Sequence, residues 1–268
     1  MNIPATQVQR EREFHNQWAN NIELDELMVK ESFESPTAIE NRYALQQFGP
    51  LKGKRLLDLG CGAGETSTYF ALQEAEVDSC GIADNFLKLA ESLAAKYQVA
   101  IHPAAASAGH LPYASESFDC VFGNGVLHHL DLNTSVHEIY RILKPGGKAI
   151  FIEPLPYNPV INIYRWMAKE VRTADEKPLT YRKIHDFAAH FTSYHQKEFW
   201  LLSLSMFLYF FFIKHWNPSK IRYWKKIIEV GEQYEKMFSR LQKADAILLR
   251  TFPFLKPLCW NTVIVTVK

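Results

Sequence analysis

The sequence predicts an α/β protein built on a doubly wound, mostly parallel sheet, and three observations predict it. An apolar run, Leu56-Leu57-Asp58-Leu59, passes directly into Gly60, Gly62 and Gly64 and then into a helical pattern. Short apolar stretches then alternate with amphipathic ones, as expected of parallel strands joined by crossover helices. Lys144-Pro145-Gly146-Gly147 stops one helix and leads into another apolar stretch. Ligands of such sheets bind outside the carboxyl ends of the strands, so the residues at those ends carry the functional information.

Toward the N-terminus, residues 11–18 and 38–48 carry apolar side chains at helical spacing. Residues 55–59 read as a buried strand, 66–74 as a helix and 77–82 as a second strand. The next helix, residues 84–97, sets Phe86, Leu87, Leu89, Ala90, Leu93, Ala94 and Tyr97 at helical spacing and Lys88, Glu91 and Lys96 toward water, with Asp84 as an acidic cap. Residues 117–124 form a further strand, followed by Gly125-Val126-Leu127-His128-His129-Leu130 and a helix to about residue 143. Residues 148–153 are the next strand, and Pro154, Pro156 and Pro159 mark a loop before a helix over 160–171. Asp58, Gly81, Ser107, Asn124 and Glu153 thereby fall at strand ends.

Composition narrows the class. The 268 residues are 47% hydrophobic with a net charge of +1, enough for a large core and without the basic excess of a nucleic-acid binder. Cys61, Cys80, Cys120 and Cys259 show neither metal-ligand spacing nor a disulfide framework, so no metal is expected and a reducing cytoplasm is. Residues 1–20 are polar and charged, unlike a signal peptide.

The glycine spacing is Gly-x-Gly-x-Gly. A dinucleotide fingerprint places its third glycine where Glu65 stands, and a phosphate loop ends in Gly-Lys-Ser/Thr, so a pyrophosphate is not the expected guest. Together with the preceding Asp58, and with LPYASESFD, VLHHL and RILKPGG following in order, LDLGCGAG resembles the class I S-adenosylmethionine (SAM) dependent methyltransferases, of the ubiquinone/menaquinone-methyltransferase-like, type 11 pattern. The resemblance spans about residues 51–153 and returns at the C-terminus.

It implies a Rossmann-like, doubly wound, mostly parallel seven-stranded sheet with N-terminal helices and a helical insertion before the last strand. Residues 1–49 would form the helical N-terminal segment, 50–153 the cofactor-binding core, and 154–268 a substrate-side lid, cap and final strands completing the same sheet. The cofactor would be SAM or a modified form of it. Asp58, Gly60, Cys61, Gly62 and Gly64 would wrap its methionine end, Gly81 and Ile82 would face the ribose, Ser107 and Ala108 the adenine, and Asn124 would shape the pocket.

Two positions depart from the family pattern. Gly81 stands where relatives carry the carboxylate that holds the ribose hydroxyls, and Ser107 stands where many carry an Asp that accepts from the adenine amino group. Each charged hydrogen bond lost is worth about 1.5–3 kcal/mol, or roughly tenfold to a hundredfold in affinity. An altered cofactor, a non-methyl reaction such as a cyclisation, and a noncatalytic binding module therefore stand as alternatives to ordinary methyl transfer.

Methyl transfer from a sulfonium asks mainly for alignment. An oxygen acceptor adds the need for a base, and His128, His129 and Glu153 are the titratable groups at the strand-end cleft, with packing, capping or loop bonding as their structural roles. Tyr157, Arg165, Arg172 and Glu176 are the substrate-side candidates. Residues 199–213, FWLLSLSMFLYFFFI, are too few to span a bilayer. Residues 194–204 would supply the sixth strand and 260–267 the seventh. The insertion between them, with Lys214, Trp216, Lys220, Arg222, Tyr223, Trp224, Lys225 and Lys226, either caps the body by burying Phe207, Phe210, Phe211 and Phe212 or forms a surface for lipid or another apolar substrate. The expectation is a methyltransferase acting at oxygen or carbon of an apolar or lipid-linked small molecule, cytoplasmic or at the membrane surface.

Overall fold

The computed structural model describes residues 5–167 and 178–268. In chain order its strands are β1 (Arg55–Leu59), β2 (Glu76–Gly81), β3 (His102–Ala105), β4 (Phe118–Asn124), β5 (Leu143–Pro154), β6 (Ser193–Phe199) and β7 (Asn261–Val267). They form one sheet in the order β3-β2-β1-β4-β5-β7-β6, parallel except for β7, which runs antiparallel to both neighbours. The chain reverses direction from the glycine loop outward between β1 and β4, and that switch point is where an open α/β sheet leaves a crevice.

Helices cover both faces. Ahead of β1 come α1 (Ala5–Ala19), α2 (Glu31–Glu34) and α3 (Ile39–Phe48); α4 (Glu65–Leu72), α5 (Asp84–Lys96) and α6 (Leu132–Ile142) are the crossovers. Then α7 (Pro159–Met167) and α8 (Tyr181–Ala188) precede β6, and α9 (Ser205–Phe212), α10 (Tyr223–Glu229), α11 (Gly231–Thr251) and a 3-10 turn (Pro253–Leu258) lie between β6 and β7. Alternate side chains of each strand feed two cores. Leu56, Phe122, Ile150, Ile152 and Val263 pack on one face with Phe70 and Phe207. Leu57, Leu59, Val121, Phe151 and Ile264 pack on the other with Val136 and Phe187. Strands buried on both sides explain why RLLDL and KAIFIE read as continuous apolar runs.

Three local expectations are corrected. The sixth strand ends at Phe199 rather than running to residue 204, because Trp200 adopts a φ of +70° and donates its indole N–H to the buried Glu40 at 2.5 Å. Asp245 of α11 then accepts from the amides of Leu201, Leu202 and Ser203 and from the Ser203 hydroxyl, bending the chain into α9. At α5 the cap is Ala83, with Asp84 exposed as the first helical residue. Residues 144–147 do end the preceding helix, yet they already belong to β5, with Gly146 at φ +75° and a register shift opposite β4.

Within α9, Met206, Phe207 and Phe210 are buried, whereas Leu208, Phe211 and Phe212 are exposed. The insertion therefore caps the body with one face and presents the other to solvent. Among the described residues no helix is long and apolar enough to cross a membrane.

Candidate functional site

The loop after β1 owes its course to backbone contacts. The amides of Gly60 and Cys61 both donate to the Cys80 carbonyl at 2.8 and 3.0 Å, curling the chain back over β2. Gly60 and Gly64 sit at φ +77° and +83°, and a Cβ would lie 2.6 Å from Val126 at the first and 2.5 Å from Ala90 at the second. Both steric facts demand glycine: the left-handed backbone and the missing space. The result is a concave strip of backbone that a ligand approaches without side chains intervening.

Asp58 anchors this strip from beneath. Its Oδ2 accepts from the hydroxyls of Thr66 at 2.5 Å and Ser67 at 2.6 Å, and Ser79 in turn donates to Ser67 at 2.8 Å. Burial raises its carboxyl to about 6, with the two hydroxyls and the Ser67 amide holding it back. Glu65, in the first turn of α4, accepts from the Met28 amide at 2.7 Å and so ties the N-terminal segment to the loop; burial raises its carboxyl too. Cys61 is a buried thiol pushed well up by burial.

Gly81 ends β2 beside the loop. A Cβ there would meet only ordinary contacts, 3.7 Å from Leu87 and 3.8 Å from the Cys61 sulfur, so the site has room for the side chain it lacks. Ile82 is half-buried. The neighbouring Asn85 is occupied by α1, its amide donating to Asn16 and its side chain to Asn20. Past β3, Ser107 is exposed and its hydroxyl receives the Gly109 amide at 3.5 Å, while Ala108 is buried. Asn124, exposed at the end of β4, donates to Asn41 at 3.4 Å.

The turn after β4 is organised by Glu153 of β5. This fully buried side chain accepts from the amides of Val126 at 2.9 Å and Leu127 at 2.7 Å through Oε1, and Oε2 lies 2.7 Å from His128 Nδ1. Because a carboxylate only accepts, Nδ1 carries the hydrogen of this contact, and Glu153 thereby fixes the orientation of the ring. His129 packs against His128 with ring centroids 4.2 Å apart, and its Nδ1 lies 3.4 Å from Glu11 of α1.

Helix α1 roofs this end of the sheet. His15 faces both Phe86 and His129, Trp18 packs edge-on to Phe86 at 5.5 Å, and the Arg222 guanidinium stacks 3.8 Å above the Trp18 ring. Glu11 was not legible as a site residue in the sequence, and Arg222 was legible only as one of the basic residues of the insertion, since each gains its place through a contact between distant segments.

The structure brings the glycine loop, Gly81, Asn124, His128 and His129 to one end of the sheet. It places the substrate-side candidates differently. The Tyr157 hydroxyl accepts from the Tyr181 amide, and Arg165 donates to Asn162 and to the Leu155 carbonyl, so both brace the loop after β5. Arg172 and Glu176 lie outside the described residues. A separate cavity of about 470 Å³, lined by Tyr181, Glu198 and Lys256, opens at edge strand β6. It is four strand spacings from β1, roughly 19 Å, and thus not the glycine-loop cleft.

The loop combines a glycine cradle with a polar anchor beneath it, and β2 ends beside it in Gly81 where the family pattern has a carboxylate. Comparison with known proteins agrees. Residues 57–151 match the methyltransferase domain family model. The methyltransferase YodH of Bacillus subtilis is 35% identical over 120 residues, 45% of this chain and 52% of its own length. The ubiquinone/menaquinone biosynthesis C-methyltransferase UbiE of Haemophilus ducreyi is 30% identical over 137 residues, 48% of this chain and 52% of its own length. The chain thus spans about half the length of the curated relatives it matches. Among solved structures, phosphoethanolamine N-methyltransferase 2 of Haemonchus contortus, bound to S-adenosylhomocysteine, shares the fold with a TM-score of 0.57 at 18% identity, over 95% of this chain and 56% of its own. The sheet order, the glycine loop and the match over residues 57–151 together make the sheet core of this chain similar to the methyltransferase domain family.

Proposed function

We propose that this chain transfers a methyl group from SAM to an oxygen or carbon atom of an apolar or lipid-linked small molecule. The observation that carries the reading is the Glu153–His128 pair, fixed by three hydrogen bonds at the strand-end cleft beside the glycine loop. Bound SAM supplies an electrophilic methyl on a sulfonium. Asp58, Gly60, Cys61, Gly62 and Gly64 would hold its methionine end, with Gly81, Ile82, Ser107, Ala108 and Asn124 along the nucleoside. Glu153 orients the imidazole, and His128 Nε2 takes the proton that an acceptor hydroxyl, or the carbon activated by it, must lose. His129, held by Glu11, closes the same wall.

An apolar acceptor is supported by the name of the H. ducreyi relative, which assigns it to quinone synthesis. It is supported also by the exposed Ile163, Trp166, Leu208, Phe212 and Ile213 near basic Lys214, a composition suited to the surface of a membrane approached from the cytoplasm. The test is calorimetric titration with S-adenosylhomocysteine, then transfer of labelled methyl to a demethylmenaquinol in detergent. Micromolar binding and label in the quinone are expected, with the label lost and the binding kept in His128→Asn. No binding at millimolar ligand would overturn the reading.

A second reading is favoured by one observation, that a Cβ at Gly81 would meet Leu87 and Cys61 without clash, so that the glycine leaves the volume of a side chain unfilled. A cofactor bearing an additional group there would use it. Gly81→Asp separates the two: about tenfold tighter S-adenosylhomocysteine with product unchanged supports ordinary SAM, whereas tighter binding with loss of the native product supports the altered cofactor.

A further inference from the structure

Three cations, Arg222, Lys225 and Lys226, cluster where the chain enters α10, and two of them have acidic partners. Lys226 bonds to Glu229 at 2.5 Å, and Lys225 lies in the field of Glu65 at the glycine loop. Arg222 differs. It is half-buried against α1, with its guanidinium 3.8 Å above the Trp18 ring, and among the described residues its side chain has neither a hydrogen bond nor a carboxylate partner. Its remaining neighbour is Tyr164, whose ring stacks on Tyr223 at 5.2 Å.

A guanidinium has five N–H donors in a rigid fork, and taking it out of water without an anion is unfavourable. Burial lowers its pKa, which expresses the same uncompensated desolvation. A cation stacked on an indole recovers part of that loss through the ring face, while its edge donors, which are not fully buried, stay open to a ligand. The position is also specific. Trp18 packs on Phe86 and His15, His15 faces His129, and His129 packs on His128, so a chain of ring contacts leads from Arg222 to the His128–Glu153 pair. The surroundings are aromatic: Trp18, Phe86, Tyr164 and Phe207.

We infer that Arg222 binds an oxyanion of the acceptor, so that the preferred acceptor combines an aromatic or otherwise apolar body with a carboxylate or phosphate. A planar fork over an indole matches both groups bidentately. This rests on the methyltransferase reading of the cleft and adds the charge of its acceptor. The same oxyanion chemistry exists on the methionine carboxylate of the cofactor, and the experiment distinguishes the two sources.

The full chain, saturated with S-adenosylhomocysteine, is titrated by NMR with benzoate and phenyl phosphate and with their neutral counterparts benzamide and phenol. Arg222→Met keeps the apolar stem, and Arg222→Lys keeps the charge in case the first variant fails to fold. The expected result is that the anions bind the wild-type protein at least tenfold more tightly than the neutral probes. Arg222→Met erases that difference, Arg222→Lys retains part of it, and S-adenosylhomocysteine affinity stays within threefold throughout. Equal binding of anionic and neutral probes to the wild type, or a preference surviving in Arg222→Met, overturns the inference. A tenfold loss of S-adenosylhomocysteine affinity in Arg222→Met overturns it as well, since the charge then serves the cofactor. Failure of the wild type to bind S-adenosylhomocysteine is a separate result and strikes the methyltransferase reading itself.

Discussion

Glu153→Gln tests whether the buried carboxylate sets the protonation of His128. One oxygen of Glu153 accepts two amides, at 2.9 and 2.7 Å, and the other receives His128 Nδ1 at 2.7 Å. Glutamine has the same shape, and its carbonyl oxygen can keep both amides. Its NH2 group then faces Nδ1. Two donors cannot share that contact, so the imidazole must turn Nδ1 into the acceptor and move its hydrogen to Nε2. The two amide bonds lose charge assistance, each falling by about half of 1.5–3 kcal/mol, for a total near 2 kcal/mol. A domain stable by about 5–15 kcal/mol remains folded. Chemical denaturation reads the stability, long-range ¹⁵N–¹H correlation reads the tautomer, and single-turnover methyl transfer reads the chemistry. The expected outcome is an inverted His128 tautomer with a rate lowered about 10²–10⁴-fold for an acceptor that must lose a proton. An unprotonated Nε2 at neutral pH together with an unchanged rate would refute the reasoning.

Three further outcomes follow from the same structure. Gly64→Ala forces alanine to φ +83° and its Cβ to 2.5 Å from Ala90, so a loss of about 2–5 kcal/mol is expected in urea unfolding; a loss below about 1 kcal/mol would mean that α5 moves freely. Asp58 titrates near 6 in the folded chain, above its unfolded value of about 3.9, so its contribution is full below about pH 4 and is lost as pH rises through about 6, on the order of 3 kcal/mol. Asp58→Asn should flatten that stretch of the stability profile, and an unaltered slope between pH 4 and 7 would point to another group. Asp245→Ala leaves the amides of Leu201, Leu202 and Ser203 without their shared acceptor, at an expected cost of about 3 kcal/mol or more; near-UV circular dichroism should show Trp200 loosening, and an unchanged spectrum with unchanged stability would contradict the capping role.

Local chemistry explains what was readable early. Glycines forced by left-handed backbone, a helix stop at residues 144–147, and strands buried on both faces all leave marks within a few residues of one another. The boundary of β6 was misread because its cause is remote: Trp200 turns to reach Glu40, 160 residues away, and Asp245 caps the turn from α11. Asp84 was misread as a cap because the helix begins one residue earlier than its carboxylate suggests.

The sequence by itself determined the sheet class, the position of the glycine loop, the strand-end residues and the missing carboxylates at Gly81 and Ser107, since each depends on backbone preference or on the identity of one side chain. Tertiary structure alone decided that Glu153 spends both oxygens inside the protein and fixes the His128 ring, that Arg165 braces a loop, and that a chain of contacts leads from Glu11, Trp18 and Arg222 to the His128–Glu153 pair. Those roles are set by which distant segments the sheet order brings within hydrogen-bond or stacking reach. A hydrogen bond closing over 25 or 118 residues of chain leaves no periodicity behind.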